Sequence, residues 1–456
     1  MNATLLAREC GIVCRGPEVS FPLTIRVDSR ETSAGEGFVA LRGEHVDGHN
    51  FIPDVLAKGV SLVVCEQAAF QPEWCARFPQ TAFLLTEERC EYGLAVLAGA
   101  YIRTLKCLKD FIAVTGSVGK TSTKNYTRAL IEDHFKVHCA GRNYNTLIGC
   151  AVTILAAPED TEILLLEMGA NHSGEIAEMV RFMPPTTAVI TEVAPVHVEG
   201  FGSLEAILAA KTEILKSAAL KRAVLNGDNS ALCSCAGTMN LPEVISFGRK
   251  GTVNFAGEHV SWANDHFKVD AVLTGLDGIS FKISLPLFGT HQLYPLCCAC
   301  ALAGTLGLST RDIAQNISKC RNSAGRGEIK MGAGGAVIVD ECYNASPAAM
   351  KAALTALDSV ELSGRRFLVL GSMRELGVIS QKEHEKLLKR ALQAGGEVFL
   401  YGAEWKTVPE ALEFCFDSID DLVLAVEARS PEKGDVILVK GSRGNHLEQV
   451  VRALEL

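Results

Sequence analysis

What this chain lacks narrows it first. No apolar run reaches the ~18 residues that a helix needs to cross a bilayer, so a soluble protein without membrane contact is expected. Basic residues are not clustered. Lys and Arg number 44 against 53 Asp and Glu, for a net charge of -9, and the pI lies near 5.7; the footprint of a nucleic-acid binder is missing. Small anionic substrates remain open, because local basic groups decide their binding. No secretory signal marks Met1 to Val13, and the 16 cysteines are scattered over the whole length. They read as reduced thiols of a cytoplasmic protein instead of a disulfide set. Cys297-Cys298-Ala299-Cys300 and Cys233-Ser234-Cys235 have no second pair at ligand spacing, so they read as small buried apolar residues and not as a metal site. A guanine-reading Asn-Lys-x-Asp string is absent, since Asn226-Gly227-Asp228-Asn229 does not qualify.

What is present centres on one stretch. Phe111-Ile112-Ala113-Val114 reads as a buried strand, Thr115-Gly116-Ser117-Val118-Gly119 as a turn, and Lys120-Thr121-Ser122 as the opening of a helix that runs through Leu130-Ile131. Strand, glycine turn and helix in that order form a phosphate cradle. Backbone N–H groups turn toward one point, the helix N-terminus adds positive potential, Lys120 neutralises phosphate charge, and the Thr121 hydroxyl is suited to magnesium. The usual glycine five residues before Gly119 is Val114 here. At 456 residues, about three domains are expected. The start of the cradle, the strand–loop–helix repeat that follows it and the turn Gly325-Arg326-Gly327 put them at 1–108, 109–320 and 321–456, in an α/β fold whose central parallel sheet carries helices on both faces.

In the central block the apolar runs Ile163-Leu164-Leu165-Leu166, Ala188-Val189-Ile190 and Ala223-Val224-Leu225 follow the cradle strand. Ligands of parallel sheets bind beyond the carboxyl ends of the strands. Glu167 stands at such an end, where a carboxylate beside a cradle can hold magnesium directly or through water. His197 follows the next run, and a lone loop histidine is as readily structural. In the helix expected from Ser203, Leu204, Leu208, Lys211 and Leu215 share one face by their spacing. A lysine on an apolar stripe must snorkel to water, find a partner, or be chemically changed. Reaction with carbon dioxide would make it a carbamate, an anion able to hold a second magnesium.

The flanking blocks add further candidates. In the first, small and α/β, Asp28-Ser29-Arg30 and Asp47-Gly48-His49 follow short apolar strands. Arg30 and Ser29 could hold a phosphate, or Asp28 and Arg30 could be a structural pair. In the last, four apolar runs end in glycine or a charged residue, among them Asp340 and Lys440. That is the layout of a small Rossmann-like sheet, but no G-x-G-x-x-G fingerprint follows its first strand, so a nicotinamide cofactor is not expected.

Four strings carry a resemblance. Thr115-Gly116-Ser117-Val118-Gly119-Lys120-Thr121, Glu167-Met168-Gly169-Ala170-Asn171-His172, His197-Val198-Glu199-Gly200-Phe201-Gly202-Ser203 and Ala210-Lys211-Thr212-Glu213-Ile214 occur in the order and spacing seen in the Mur ligases. The second and third look most like the branch that adds D-Ala-D-Ala to UDP-MurNAc-tripeptide in cytoplasmic peptidoglycan precursor synthesis. The resemblance implies three domains that bind the UDP-sugar, bind ATP, and complete the ligase. It implies ATP and Mg2+ as cofactors, with Gly116, Ser117, Gly119, Lys120 and Thr121 on the phosphates. Thr121, Glu167, His197 and a carbamylated Lys211 would serve the metal. Arg326, Asp340 and Gln292 match nucleotide-contacting positions, with Arg326 reaching the γ-phosphate as the domains close. Ser29, Arg30, Asp47, His49, Asn145, Tyr343, Asn344, Lys440 and Arg443 match substrate-binding positions, and a monomer is expected.

The chain departs from the family in places. Gly289-Thr290-His291-Gln292-Leu293-Tyr294-Pro295 replaces both asparagines of the usual Gly-x-His-Asn-x-x-Asn, which removes a nucleotide contact or moves it elsewhere. Asn143-Tyr144-Asn145-Thr146 stands where paired asparagines are common, and Ser372 replaces an acidic residue. A sister ligase with another amine, a folylpolyglutamate-type ligase, and a P-loop switch without ligase activity remain the alternatives.

Overall fold

Residues Asp110–Thr115 are buried along their whole length, and a strand buried on both faces belongs in the middle of a sheet covered by helices. The computed structural model describes residues 1–43, 45–87, 89–141, 144–196, 198–263 and 266–456. His197 and Asn143 lie outside the described residues. Asp110–Thr115 sits inside a six-stranded sheet ordered Val244–Phe247, Arg222–Asn226, Thr187–Ile190, Asp110–Thr115, Ile163–Glu167, Val137–Cys139. Every pairing in it is parallel. Alternation divides its side chains between two cores. Ile163 and Leu165 face one that includes Tyr126, Leu130 and Leu296; Leu164 and Leu166 face one that includes Leu97, Ile154 and Met179.

The first core is packed by the cradle helix Lys120–Ile131 and the helix Leu293–Thr305. Cys297, Cys298 and Cys300 are free thiols buried there, and burial pushes the Cys297 thiol up to about 12. The second core continues into the N-terminal block, whose five strands run Val13–Arg15, Ala82–Thr86, Leu62–Glu66, Gly37–Val39, Ile25–Arg26. Its helix Cys90–Ile102 lies on the central sheet's outer helices. Bonds tie the block down, among them Leu23 N–H to Leu155 O at 3.0 Å, the Tyr101 hydroxyl to Ala157 O at 2.8 Å, and the Met1 amino group to Glu159.

The strand–loop–helix repeat expected across the central block is interrupted. Asn254–Ala263, His266–Thr274 and Ser280–Leu285 form a separate antiparallel sheet. Phe267, Val269, Ala271 and Leu273 point inward while His266 and Lys268 are exposed, the period-two pattern of a sheet with one wet face. The last block has a six-stranded sheet ordered Glu328–Met331, Val337–Glu341, Val436–Lys440, Arg366–Gly371, Glu397–Tyr401, Cys415–Phe416. It is parallel apart from the antiparallel first strand, as the Rossmann-like reading required. Its strand Glu328–Met331 follows directly on the turn that carries Arg326 and pairs antiparallel with Val337–Glu341.

Candidate active site

The cradle is built as its residues dictate. Gly116 has φ 141°, and a Cβ there would stand 2.1 Å from Thr191 Oγ1, so only glycine fits against the neighbouring strand end. Gly119, at φ 86°, takes the left-handed turn into the helix. Ser117 N–H donates to Glu192 O at 2.8 Å, and the Ser117 hydroxyl donates to Ala194 O at 2.8 Å. That hydroxyl therefore laces the loop to its neighbour. Lys120 Nζ folds back to donate to Gly116 O at 2.6 Å. Burial lowers its pKa to about 8; nearby Arg326 acts in the same direction and Glu167 against it.

Register brings the carboxylate to the cradle, because Val114 pairs with Glu167 across adjacent parallel strands. The Thr121 hydroxyl donates to Glu167 Oε2 at 2.9 Å. Lys124 Nζ stands 3.1 Å from Oε1, yet Oε1 accepts no aligned hydrogen bond among the described residues; the approach is an ion pair. A buried carboxylate oxygen with spare capacity beside a hydroxyl suits a hard cation such as magnesium. The described residues hold no group of three His, Cys, Asp or Glu that could bind a metal by themselves. Thr121 and Glu167 would thus share a magnesium ion with phosphate oxygens and water.

Lys211 is 1% exposed. Its Nζ donates to Ala170 O at 3.2 Å and lies 5.2 Å from the centre of the Phe201 ring, so it does not snorkel to water. Burial, with Lys120 adding repulsion, lowers its pKa to about 7. The face that carries it departs from the expected one at its first residue. Lys211 and Leu215 are buried and Leu208 packs partly buried on the core, but Leu204 is 42% exposed, and Ile207, Ala210, Thr212 and Ile214 complete the buried set of the helix Leu204–Thr212 and the turn after it.

The opposite wall comes from the last block. Arg326 is half-buried, and its desolvation lowers its pKa, while Glu167 and Tyr343 oppose that shift. Its guanidinium lies 4.0 Å from the centre of the Tyr343 ring, and that of Arg443 lies 5.4 Å from the same ring. Two cations are thereby stacked on one aromatic side chain. Beside them a cleft of about 300 Å³ is lined by Val196, Asn344, Ser346, Arg374, Ser442 and Arg443. A second cleft of about 380 Å³ lies between the first and central blocks, with Arg89, Tyr92, Asn145, Gly169, Asn171 and Glu178 on its wall.

A cradle, a carboxylate and a buried lysine facing an arginine from another block can be compared with known proteins. Family profiles match in chain order. The one described as Mur ligase family, catalytic domain covers residues 24–83; Mur ligase middle domain covers 114–303; Mur ligase, glutamate ligase domain covers 325–443. A relative from Bacillus subtilis named UDP-N-acetylmuramoyl-tripeptide--D-alanyl-D-alanine ligase is 31% identical over 444 residues, spanning 94% of this chain and 92% of its own length. The chain belongs to the Mur ligase family. The MurF ligase from Thermotoga maritima, solved in complex with ADP, superposes with a TM-score of 0.78 at 28% identity, covering 94% of this chain and 96% of that one. MurF from Acinetobacter baumannii shares the fold with a TM-score of 0.84 at 24% identity, covering 99% and 98%.

Several predicted site residues of this Mur ligase are already engaged with the protein. Asp340 accepts from Gly325 N–H at 3.0 Å and Cys342 N–H at 3.2 Å, which shapes the turn presenting Arg326. Gln292 Oε1 accepts from Phe288 N–H and Asn322 Nδ2, each at 3.1 Å, and its Nε2 donates to Arg326 O at 3.3 Å. Its amide therefore joins the two blocks. Lys440 Nζ pairs with Glu341 at 2.9 Å and donates to Asn344 O at 3.3 Å. Burial raises the Glu341 pKa, but Lys440 and His291 outweigh it and hold the carboxyl at about 2.

In the first block Asp47 accepts from His49 N–H at 3.0 Å and lies 2.7 Å from His49 Nδ1, while His49 Nε2 accepts from Glu66 N–H at 3.1 Å. Both stiffen the turn Gly48–Phe51. The Arg30 side chain is 88% exposed and pairs with Asp28 at 2.7 Å, and Ser29 O accepts from Lys58 Nζ at 2.7 Å. Two functional-looking residues escaped the sequence reading: Lys124, one helical turn past Lys120, and Glu341, next to Asp340. The only signal was a charge inside a buried run.

Proposed function

We propose that this Mur ligase joins D-Ala-D-Ala to the carboxylate that ends UDP-MurNAc-tripeptide, cleaving ATP to ADP and phosphate. The observation that carries the reading is the convergence of Lys120, Thr121, Glu167 and Lys211 at one end of the central sheet, opposite Arg326 from the last block. The Bacillus subtilis relative's name supplies the two substrates, and the ADP-bound Thermotoga maritima structure supplies the nucleotide.

A carboxylate is a poor acyl donor, because oxide is a poor leaving group. The γ-phosphoryl group of ATP passes to the tripeptide carboxylate, forming a P–O bond as the β–γ bridge breaks and ADP departs. The dipeptide amine then attacks the acyl carbon, the C–O bond breaks, and phosphate leaves with the electron pair while the amine sheds its proton. Lys120 and Arg326 offset charge on the transferring group from the two sides, and most of the remaining acceleration is positioning. Magnesium, held by Thr121 and Glu167, would supply charge neutralisation at the phosphate oxygens. Lys211, largely neutral at pH 8, would take up carbon dioxide through its nitrogen lone pair, release a proton and become a carbamate ligand for a second magnesium.

The 380 Å³ cleft is suited to the peptide end of the acceptor, and the 300 Å³ cleft with Arg374 and Arg443 to the dipeptide. Ser29 and Arg30 are left to the UDP end. Among the described residues no helix is long and apolar enough to cross a membrane, and we place the reaction in the cytoplasm with the chain acting as a monomer. Mass spectrometry of the products tests the reading. A product equal to the tripeptide substrate plus the dipeptide less water is expected, and ATP hydrolysis without any such product contradicts it.

A further inference from the structure

Lys124 takes no part in the chemistry outlined above, and yet it is 4% exposed in the middle of the cradle helix. A buried ammonium is costly unless its charge and its donors are satisfied. Its two partners belong to different parts of the site. Nζ stands 3.1 Å from Glu167 Oε1, at the nucleotide end. It also donates to Ala140 O at 3.0 Å, just past the edge strand Val137–Cys139.

Ala140 opens the segment that leads to Tyr144 and Asn145, and Asn145 lines the cleft assigned to the acceptor peptide. The far end of that segment is tied as well. Asn145 O accepts from Gly169 N–H at 2.8 Å, and the Asn145 amide lies so close to Gly169 that a Cβ there would stand 2.6 Å from Nδ2. Gly169 is two residues past Glu167. The acceptor-lining segment is thus anchored at both ends to the strand end that carries the carboxylate, at one end by Gly169 and at the other by Lys124.

We propose that Lys124 is a positioning residue that fixes the Glu167 carboxylate and the acceptor-lining segment in one frame. A neutral side chain of equal length would fill the space but hold neither group. Thr121 on Oε2 would then be the one side chain left holding the Glu167 carboxylate among the described residues. The proposal rests on the ligase reading for its kinetic test and on geometry alone for its structural one.

The test uses the full chain with Lys124→Met and Lys124→Arg, both checked for an unchanged thermal midpoint. With ATP, magnesium and both substrates, Lys124→Met is expected to lower kcat by about tenfold or more and to raise KM for the UDP-MurNAc-tripeptide. Lys124→Arg, which keeps the charge and can reach two acceptors, is expected to recover most of both losses. A folded Lys124→Met enzyme with wild-type kcat and KM overturns the proposal, as does an arginine variant no better than the methionine one. A crystal structure of Lys124→Met separates this from the ligase reading. Displacement of the Glu167 carboxylate, of Ala140 or of Asn145 is expected, and all three unmoved overturns the proposal. A wild-type chain that forms no product overturns the ligase reading instead.

Discussion

Lys211 offers a quantitative test of the site. Its pKa falls from 10.5 to about 7 through burial and the neighbouring Lys120. At pH 8 an ordinary lysine is about 0.3% neutral, whereas one with a pKa of 7 is about 90% neutral, an increase of about 300-fold in the form that reacts with carbon dioxide. Lowering the pH to 6 reduces the neutral fraction about tenfold. In buffer freed of carbon dioxide, turnover is therefore expected to fall and to be restored by bicarbonate, most strongly above pH 7. Enzyme equilibrated with carbon-13-labelled bicarbonate should show a carbamate resonance that Lys211→Met lacks. Full turnover without carbon dioxide, together with no such resonance at pH 8, refutes the reasoning.

Stability should follow the same titration. Burial depresses the folded-state pKa, so between pH 7 and 10.5 the unfolded chain binds the extra proton and wild-type stability rises with pH. The cost, at most about 5 kcal/mol for the 3.5-unit shift, is complete below pH 7. Without carbon dioxide, Lys211→Met should be more stable than wild type at pH 6 and lose that advantage toward pH 10, as urea titrations at several pH values would show. A gap that does not vary with pH contradicts this.

Three other expectations follow. Lys120→Ala should nearly abolish ADP release that depends on both substrates, in a coupled assay, with the fold retained. Tyr343→Ala should lower kcat by removing the ring stacked on Arg326 at 4.0 Å, worth about 0.5–2 kcal/mol or about 2- to 30-fold, whereas Tyr343→Phe keeps the ring and most of the rate. Glu341→Gln should cost about 3–5 kcal/mol in denaturant unfolding at pH 7, because it leaves Lys440 buried beside a neutral amide. Since the Glu341 pKa is lowered from 4.5 to about 2, the wild-type pair stabilises fully above pH 4.5 and is lost as the pH falls toward 2.

The parts of the site legible in sequence were those fixed by local chain geometry. Gly116 to Thr121 sits between a strand and a helix, and Glu167 ends an apolar run; neither needs a distant partner to be recognised. Lys211 could be read as buried with Leu208 and Leu215, but the face read from spacing is one turn too long, because Leu204 lies in an exposed first turn. The antiparallel sheet is less legible: Phe267, Val269 and Ala271 alternate with His266, Lys268 and Asp270, but Val272 breaks the alternation before Leu273. What the sequence hid were partners brought from far along the chain. Gln292 meets Asn322 and the Arg326 carbonyl, Lys440 meets Glu341, and Lys124 meets Glu167 and Ala140. Nothing in the residues flanking any of them announces the contact.

One measurement addresses the central claim most directly: ADP formation by the purified chain with ATP, magnesium, UDP-MurNAc-tripeptide and D-Ala-D-Ala, each component omitted in turn. The ligase account predicts sustained ADP release only when both the carboxylate and the amine substrate are present. Equal release with either one left out contradicts it.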